Sequence, residues 1–280
     1  MNTPNVVATI PALRERLAAW RAEGERLGLV PTMGALHEGH LALVRETGKR
    51  CGKTIVSIFV NPAQFAPHED FDRYPRTLGT DLEKLGNAAD LVFAPSVAEM
   101  YPNGFATRIE VGGPASGLET DFRPHFFAGV ATVVAKLLIA ALPDMAMFGE
   151  KDYQQLLVVR RLARDLSLPI EIAGGAIVRE ADGLAMSSRN AYLGPDERKV
   201  AGRLNAVLET FAARLRSREH IATAEAAAAA ELVNAGFDTV DYLAARDADT
   251  LAPLTRPTQP ARILAAVRIG NTRLIDNMAV

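Results

Sequence analysis

Between Arg26 and Ala173, short apolar runs alternate with stretches of helical length, and this alternation constrains the fold more than any other property of the chain. Arg26–Thr32 (RLGLVPT), Lys53–Val60 (KTIVSIFV), Ala89–Ala94 (ADLVFA), Asp144–Phe148 and Ile170–Ala173 read as strands. Helices are expected from Ile10, with Thr9 as its cap, and over about 39–50, 78–85, 127–142 and 153–166. Strands separated by helices pair in parallel. The expectation is a Rossmann-like, doubly wound parallel sheet with ligands at the carboxyl ends of its strands.

The pattern changes near Val178. Helices over 195–216 and 223–234 precede strands at 239–245, 261–269 and 273–275, with a proline-rich loop, LAPLTRPTQP, between the first two strands. A chain of 280 residues is at the upper edge of what one core serves. The expected organisation is an α/β domain over residues 1–177 and a smaller α+β lid domain over 178–280.

Composition excludes several functions. Formal net charge is −2, so affinity for phosphate must come from a local site rather than a basic surface suited to nucleic acid. One cysteine, Cys51, leaves no internal disulfide and no cysteine-built zinc site, and it fits a reducing compartment. The first residues, MNTPNVVATIPALRERL, lack the basic-then-apolar order of a signal peptide. The apolar stretch 130–142 is interrupted by Lys136 and is too short to span a bilayer. A cytoplasmic protein is expected.

Four segments carry chemistry. The first, Pro31-Thr-Met-Gly-Ala-Leu-His37-Glu-Gly-His40, lies between a strand and its helix. Its glycines let backbone approach a ligand, the helix start favours an anion, and two imidazoles three residues apart can donate to that anion. In isolation the pair also reads as a capped loop, and no third histidine or cysteine lies near enough for a metal. The second, Asn61-Pro-Ala-Gln64-Phe65, puts amides at a strand end, where they can bond hydroxyls and carboxylates without adding charge. Asn-Pro alone is a turn signal, and the mixed charges of Glu69–Arg76 would alone be a solvated loop. In the third, Phe148-Gly-Glu-Lys151-Asp152-Tyr-Gln-Gln155, Lys151 can neutralise phosphate and Asp152 can accept from ribose hydroxyls or cap a helix. The fourth, Ala185-Met186-Ser187-Ser188-Arg189-Asn190, offers two hydroxyls and a guanidinium for a polyphosphate. Read alone, it is a polar loop.

His37-Glu-Gly-His40 resembles the His-x-Gly-His signature of adenylate-forming nucleotidylyltransferases. With NPAQF, EDFDRYPR, GEKDYQQL, READGLAMSSRN and the terminal RLIDN in order, nearly the whole chain resembles the AMP-forming pantoate–β-alanine ligases of that superfamily. The resemblance implies that residues 1–177 bind nucleotide and pantoate. Pantoate and ATP would form pantoyl-adenylate and pyrophosphate, and β-alanine would then displace AMP to give pantothenate. His40 would be the main catalytic histidine with His37 its partner, and these two with Lys151 and Arg189 would make four cationic donors. Met33, Gly34, Ala35, Leu36, His37, Glu38, Gly39 and His40 would line the ATP phosphates. Gly149, Glu150, Lys151 and Asp152 would contact ATP, and Val178 would meet the adenine through its backbone. Met186, Ser187, Ser188 and Arg189 would close over the triphosphate. Gln64 and Gln155 would hold pantoate with support from Asn61. Mg²⁺ would ride on the phosphates with no metal site built from side chains. A homodimer with no nucleic-acid or membrane partner is also implied.

One position departs from the family's pattern. Arg123-Pro-His125-Phe126-Phe-Ala-Gly129 carries Phe126 where a histidine is usual and His125 one place earlier. Rival readings are a nucleotidyltransferase that stops at AMP transfer, a tRNA synthetase and a non-catalytic nucleotide-binding module. The uncharged Gln64 and Gln155 disfavour the first and go unexplained by the last. No basic anticodon-binding module supports the second.

Overall fold

A computed structural model of the chain describes residues 3–67, 69–256 and 260–280. The first part runs β1 (Asn5–Val7), α1 (Ile10–Ala22), β2 (Leu27–Thr32), α2 (Glu38–Arg50), β3 (Lys53–Ile58), α3 (Leu78–Leu85), β4 (Leu91–Phe93), two single-turn helices α4 (Val97–Met100) and α5 (Glu119–Phe122), α6 (Phe126–Ala141), β5 (Met145–Gly149), α7 (Tyr153–Asp165) and β6 (Glu171–Gly175). The strands form one six-stranded sheet in the order β1-β4-β3-β2-β5-β6, every pair parallel.

Alternation along the strands sends side chains to two cores. Leu29, Ile55 and Ala146 face α1, α6 and α7, while Val30, Val56 and Met147 face α2 and α3. Helix α1 is capped by the Thr9 hydroxyl, which accepts from the Ala12 N–H at 3.3 Å, and it buries Leu13, Leu17 and Trp20 at helical spacing. Helix α6 is apolar almost all round and correspondingly buried.

Strand order reverses on either side of β2, and the geometry opens there. The β2–β3 pairing continues to Thr32↔Ile58, and β5–β6 continues to Gly149↔Gly175, but β2 and β5 pair only at Gly28↔Met145 and Leu29↔Ala146. Their carboxyl ends separate, which makes a crevice at the point where such sheets bind ligands.

Beyond β6, α8 (Pro195–Ala201), α9 (Arg203–Arg216) and α10 (Ile221–Asn234) pack on an antiparallel sheet of β7 (Thr239–Asp247), β8 (Ala261–Ile269) and β9 (Thr272–Ala279), with a core around Leu208, Phe211, Leu232 and Ile263. The two-sheet, α/β then α+β architecture is as expected. The single helix expected over 195–216 is instead two. It breaks at Gly202, where a side chain would meet the Asp182 carboxylate at 2.3 Å. β1 was not anticipated, being three residues ordered by pairing with β4, and the last strand is longer than 273–275. Residues 257–259 of the expected proline-rich loop lie outside the described residues. No described helix is long and apolar enough to cross a membrane.

Candidate active site

The turn from β2 into α2 bends through two left-handed residues, Gly34 (φ 84°) and Ala35 (φ 50°), the second strained for a residue with a Cβ. Asp81, on α3 and fully buried, holds this shape. Its carboxylate accepts from the Ala35 N–H at 3.0 Å, the Leu36 N–H at 2.8 Å and the Thr77 hydroxyl at 3.2 Å. One turn along the same helix, Lys84 Nζ donates to the Leu36 carbonyl at 2.6 Å. Leu36 itself is buried in the core, and the exposed Glu38 side chain pairs with Arg45.

The two histidines then start α2 by capping it reciprocally. His37 Nδ1 accepts the Gly39 N–H at 3.1 Å, and His40 Nδ1 accepts the His37 N–H at 3.4 Å, with the rings 4.1 Å apart. A nitrogen that accepts carries no proton, so each imidazole is the Nε2–H tautomer. Burial, reinforced by Lys151, lowers the His37 pKa to about 4. Burial, then His37 and Lys151, lowers that of His40 to about 3. Both rings are therefore neutral donors at pH 7. This corrects the expectation of cationic histidines, because burial and neighbouring cations oppose a second proton.

After β3, Asn61 is spent internally. Its Nδ2 donates to Gln64 Oε1 (3.0 Å) and the Gly129 carbonyl (3.2 Å), while its Oδ1 accepts from the Tyr101 hydroxyl (2.7 Å). Gln64 is thus held with its amide nitrogen against Met33 Sδ at 3.1 Å, a weak acceptor that leaves the donor available. Gly129 admits this approach, since a Cβ there would lie 2.3 Å from the Ala63 carbonyl oxygen. Arg123 fixes the next loop, donating to both Glu69 oxygens (2.6 and 2.7 Å), Glu119 (3.0 Å) and the Gln64 carbonyl (3.1 Å). Phe126, at the departure from the family's pattern, lies buried 4.0 Å beneath the Arg123 guanidinium, a cation–π contact on the cavity wall. His125 does not line the cavity, and its Nε2 is buried without a partner among the described residues.

After β5, Lys151 makes no hydrogen bond or ion pair through its side chain with the described residues, and Asp152 precedes α7 without capping it through its side chain. β9 fixes their backbone: Asn277 Nδ2 donates to the carbonyls of Glu150 and Lys151, both at 2.8 Å. Arg262 braces Asn277 Oδ1 at 2.7 Å and reaches Glu150 at 3.3 Å, its guanidinium 4.0 Å from the Tyr153 ring centre. Of the adjacent glutamines, Gln154 is buried in bonds to Glu119, Pro114 and Gly117, whereas Gln155 faces the cavity.

The segment 178–190 closes the far side as a small hairpin. Val178 accepts the Met186 N–H at 3.0 Å, and Arg179 pairs with the buried Asp276 at 2.6 and 3.0 Å. Ser187 Oγ accepts the Arg189 N–H at 3.2 Å. Arg189 forms a two-point pair with Asp70 at 3.0 Å, so 69–76 is not simply a solvated loop.

These groups line one cavity of about 390 Å³. Met33, His37, Gly39, His40, Asn61, Gln64, Gly149, Lys151, Asp152, Gln155, Val178 and 186–189 all border it. Gly34, Ala35, Leu36, Glu38 and Glu150 do not, and they shape the turns behind it. Asp81, Asn277, Arg262, Arg123 and Asp70 were not singled out from sequence for these roles. Asp70 and Asn277 lie within motifs of the resemblance and Arg123 in the segment that departs from it, whereas Asp81 and Arg262 lie in none.

The family model described as pantoate-β-alanine ligase matches residues 5–279. The pantothenate synthetase of Mesorhizobium japonicum is 57% identical over 100% of this chain and 99% of its own. That of Maricaulis maris is 54% identical over 97% and 95%. A crystal structure of pantothenate synthetase from Thermus thermophilus superposes with a TM-score of 0.92 at 48% identity, covering 98% of both chains. The pantoate-β-alanine ligase of Francisella tularensis, crystallised with β-γ ATP and β-alanine, gives 0.82 at 31% identity over 98% of this chain and 97% of that one.

Proposed function

This chain belongs to the pantoate–β-alanine ligase family, and from that premise we propose how its residues divide the reaction. The protein is a ligase that condenses pantoate with β-alanine, in an ATP-dependent reaction, to pantothenate. In the first step a pantoate carboxylate oxygen bonds to the α-phosphorus of ATP as the bond to pyrophosphate breaks. In the second, the β-alanine nitrogen bonds to the acyl carbon, AMP departs with the carboxylate oxygen, and the amine gives up a proton. A carboxylate alone is a poor acyl donor because oxide would have to leave, and adenylation supplies a phosphate leaving group instead.

One observation carries this reading: both histidines cap α2 through Nδ1 and so keep Nε2–H donors available beside a cavity that Lys151, Gln64 and Gln155 also line. Donors fixed in advance stabilise charge as it develops on the phosphate oxygens without reorganising during the step. His40 takes the main role and His37 supports it. Lys151 and Arg189 supply full positive charge, with Ser187, Ser188 and Met186 closing over the triphosphate. Gln64 and Gln155 hold pantoate by uncharged amides, which suit a hydroxy acid. Asp152 accepts from the ribose hydroxyls, and Val178 meets the adenine through its backbone.

Mg²⁺, when bound with the nucleotide, would neutralise phosphate charge. An ion of this kind keeps several waters and is held mainly by substrate phosphates. We assign residues 1–177 to the nucleotide and pantoate domain and 178–280 to the lid, on the strength of their separate sheets and cores. A cytoplasmic homodimer rests on family resemblance, and light scattering of the purified protein tests the dimer.

The deciding assay is exchange of labelled pyrophosphate into ATP. Exchange is expected to require pantoate and not β-alanine. Exchange that runs equally well without pantoate, or AMP formed without pantothenate, would sink the two-step reading.

A further inference from the structure

The guanidinium of Arg189 is engaged at one edge only. Its Nε and Nη2 donate to the two oxygens of Asp70, both at 3.0 Å, while Nη1 donates to no described residue. The same two segments touch again nearby. The Tyr74 hydroxyl is 3.3 Å from Ser188 Oγ, the Tyr74 ring lies 6.0 Å from the Arg189 guanidinium, and the Tyr192 hydroxyl donates to the Arg73 carbonyl at 3.5 Å. Asp70 is mostly buried, with its side chain 13% exposed, and Arg189 is its sole ion-pair partner among the described residues. Its neighbour Glu69 is held by Arg123, which also grips the Gln64 carbonyl. Two consecutive carboxylates therefore tie the amide side of the cavity to the Ser-Ser-Arg segment, about 120 residues away in sequence.

We propose that Asp70 is a positioning residue for adenylation, holding Arg189 so that its Nη1 edge faces the triphosphate. The proposal rests on the reading of Arg189 as a phosphate ligand. An arginine side chain without this partner would have to lose the freedom of its rotatable bonds as charge builds on the departing pyrophosphate, and a two-point pair removes that freedom beforehand. A carboxylate beside a triphosphate cannot aid binding by its charge. The role therefore predicts a split: the rate of adenylation depends on Asp70, and ground-state ATP affinity does not.

The test uses the full chain as wild type, Asp70→Asn, Arg189→Ala and the double variant. Each is measured by single-turnover adenylation and by β-alanine attack on preformed pantoyl-adenylate. Asp70→Asn should slow adenylation about 10- to 100-fold, the size of effect expected from misplacing a catalytic group. The KM for ATP should stay level or fall, and the β-alanine step should remain near wild type, which also shows the variant to be folded. Arg189→Ala should slow adenylation by about 10²–10³. The double variant should match Arg189→Ala to within about twofold, because Asp70 acts only through Arg189. Additive losses in the double variant overturn the positioning role alone. An Asp70→Asn enzyme as fast as or faster than wild type overturns it in another way, making Asp70 a competitor of phosphate for Arg189. If Arg189→Ala leaves adenylation intact, the phosphate-ligand reading of Arg189 falls and the positioning role falls with it.

Discussion

Asp81 and Asp70 each hold a working part of the same cavity, yet they hold it differently. Asp81 is fully buried, and its oxygens accept two backbone N–H groups and a hydroxyl, fixing the turn that carries the histidines. Hydrogen bonds to a charged group are worth about 1.5–3 kcal/mol each, and a buried one has no water to replace it. Asp70 instead grips a side chain, Arg189, that is 31% exposed. A side chain with such access to water can turn to solvent when its partner is lost, which a backbone amide in a buried turn cannot do. The sheet side of the site is therefore locked by backbone contacts, and the Ser-Ser-Arg side is held by a side-chain pair whose arginine reaches solvent. Such a division suits the proposed reaction, in which fixed donors meet the phosphate and the Ser-Ser-Arg segment must admit ATP and release pyrophosphate.

The comparison breaks most visibly at His40. His40→Ala should lower adenylation by about 10²–10³ in single-turnover kinetics while changing the ATP dissociation constant much less, because the missing donor acts mainly in the transition state. Near-normal adenylation with only ATP affinity lost would make His40 a ground-state ligand. Asp81→Asn comes next, since it turns an amide donor toward backbone donors. Urea unfolding should show a loss of about 1–3 kcal/mol, against a smaller loss for Asp70→Asn, whose arginine partner can turn to solvent. Equal losses would end the distinction between locked and exchangeable sides. Asn277→Ala should be milder, raising the ATP KM about fivefold for roughly 1 kcal/mol of lost positioning of Glu150 and Lys151. An unchanged KM would mean that this turn holds itself.

The smallest expected effect is none at all. With His37 and His40 already neutral, kcat/KM for ATP should show no alkaline fall near the ordinary imidazole value of about 6.5. Such a fall would show that the free enzyme works with an imidazolium. Stability should behave differently. Both folded-state values lie below that of the unfolded chain, so the unfolded state takes up protons first. The contribution is complete above about pH 6.5 and is eroded as pH falls toward 4 and then 3.

What was legible in the sequence is what local chemistry writes over a few residues. Periodicity gave the alternating strands and helices, and paired histidines beside glycines marked the turn at β2. The groups that hold that chemistry in place were hidden because their partners are remote. Asp81 meets Ala35 across 46 residues, Asp70 meets Arg189 across 119, and Asn277 meets Glu150 across 127. Such groups look like ordinary surface residues until the chain brings the partner to them. The neutrality of the histidines was hidden for a related reason, since burial and the approach of Lys151 are tertiary properties. β1 was missed because three residues carry too little pattern to stand apart from the chain around them.

Helix α2 begins with imidazole nitrogens where hydroxyl or carboxylate oxygens more often serve. A hydroxyl cap is indifferent to acid, and this one is not. A proton added to His37 Nδ1 removes the lone pair that receives the Gly39 amide, and one added to His40 Nδ1 releases the amide of His37. Acidification toward pH 4 should therefore free the Gly39 amide to exchange with solvent deuterium, and that of His37 should follow only toward pH 3. Amide exchange at Gly39 and His37, followed against that of β2 and β3 as pH falls, shows whether the first turn of this helix opens apart from the sheet.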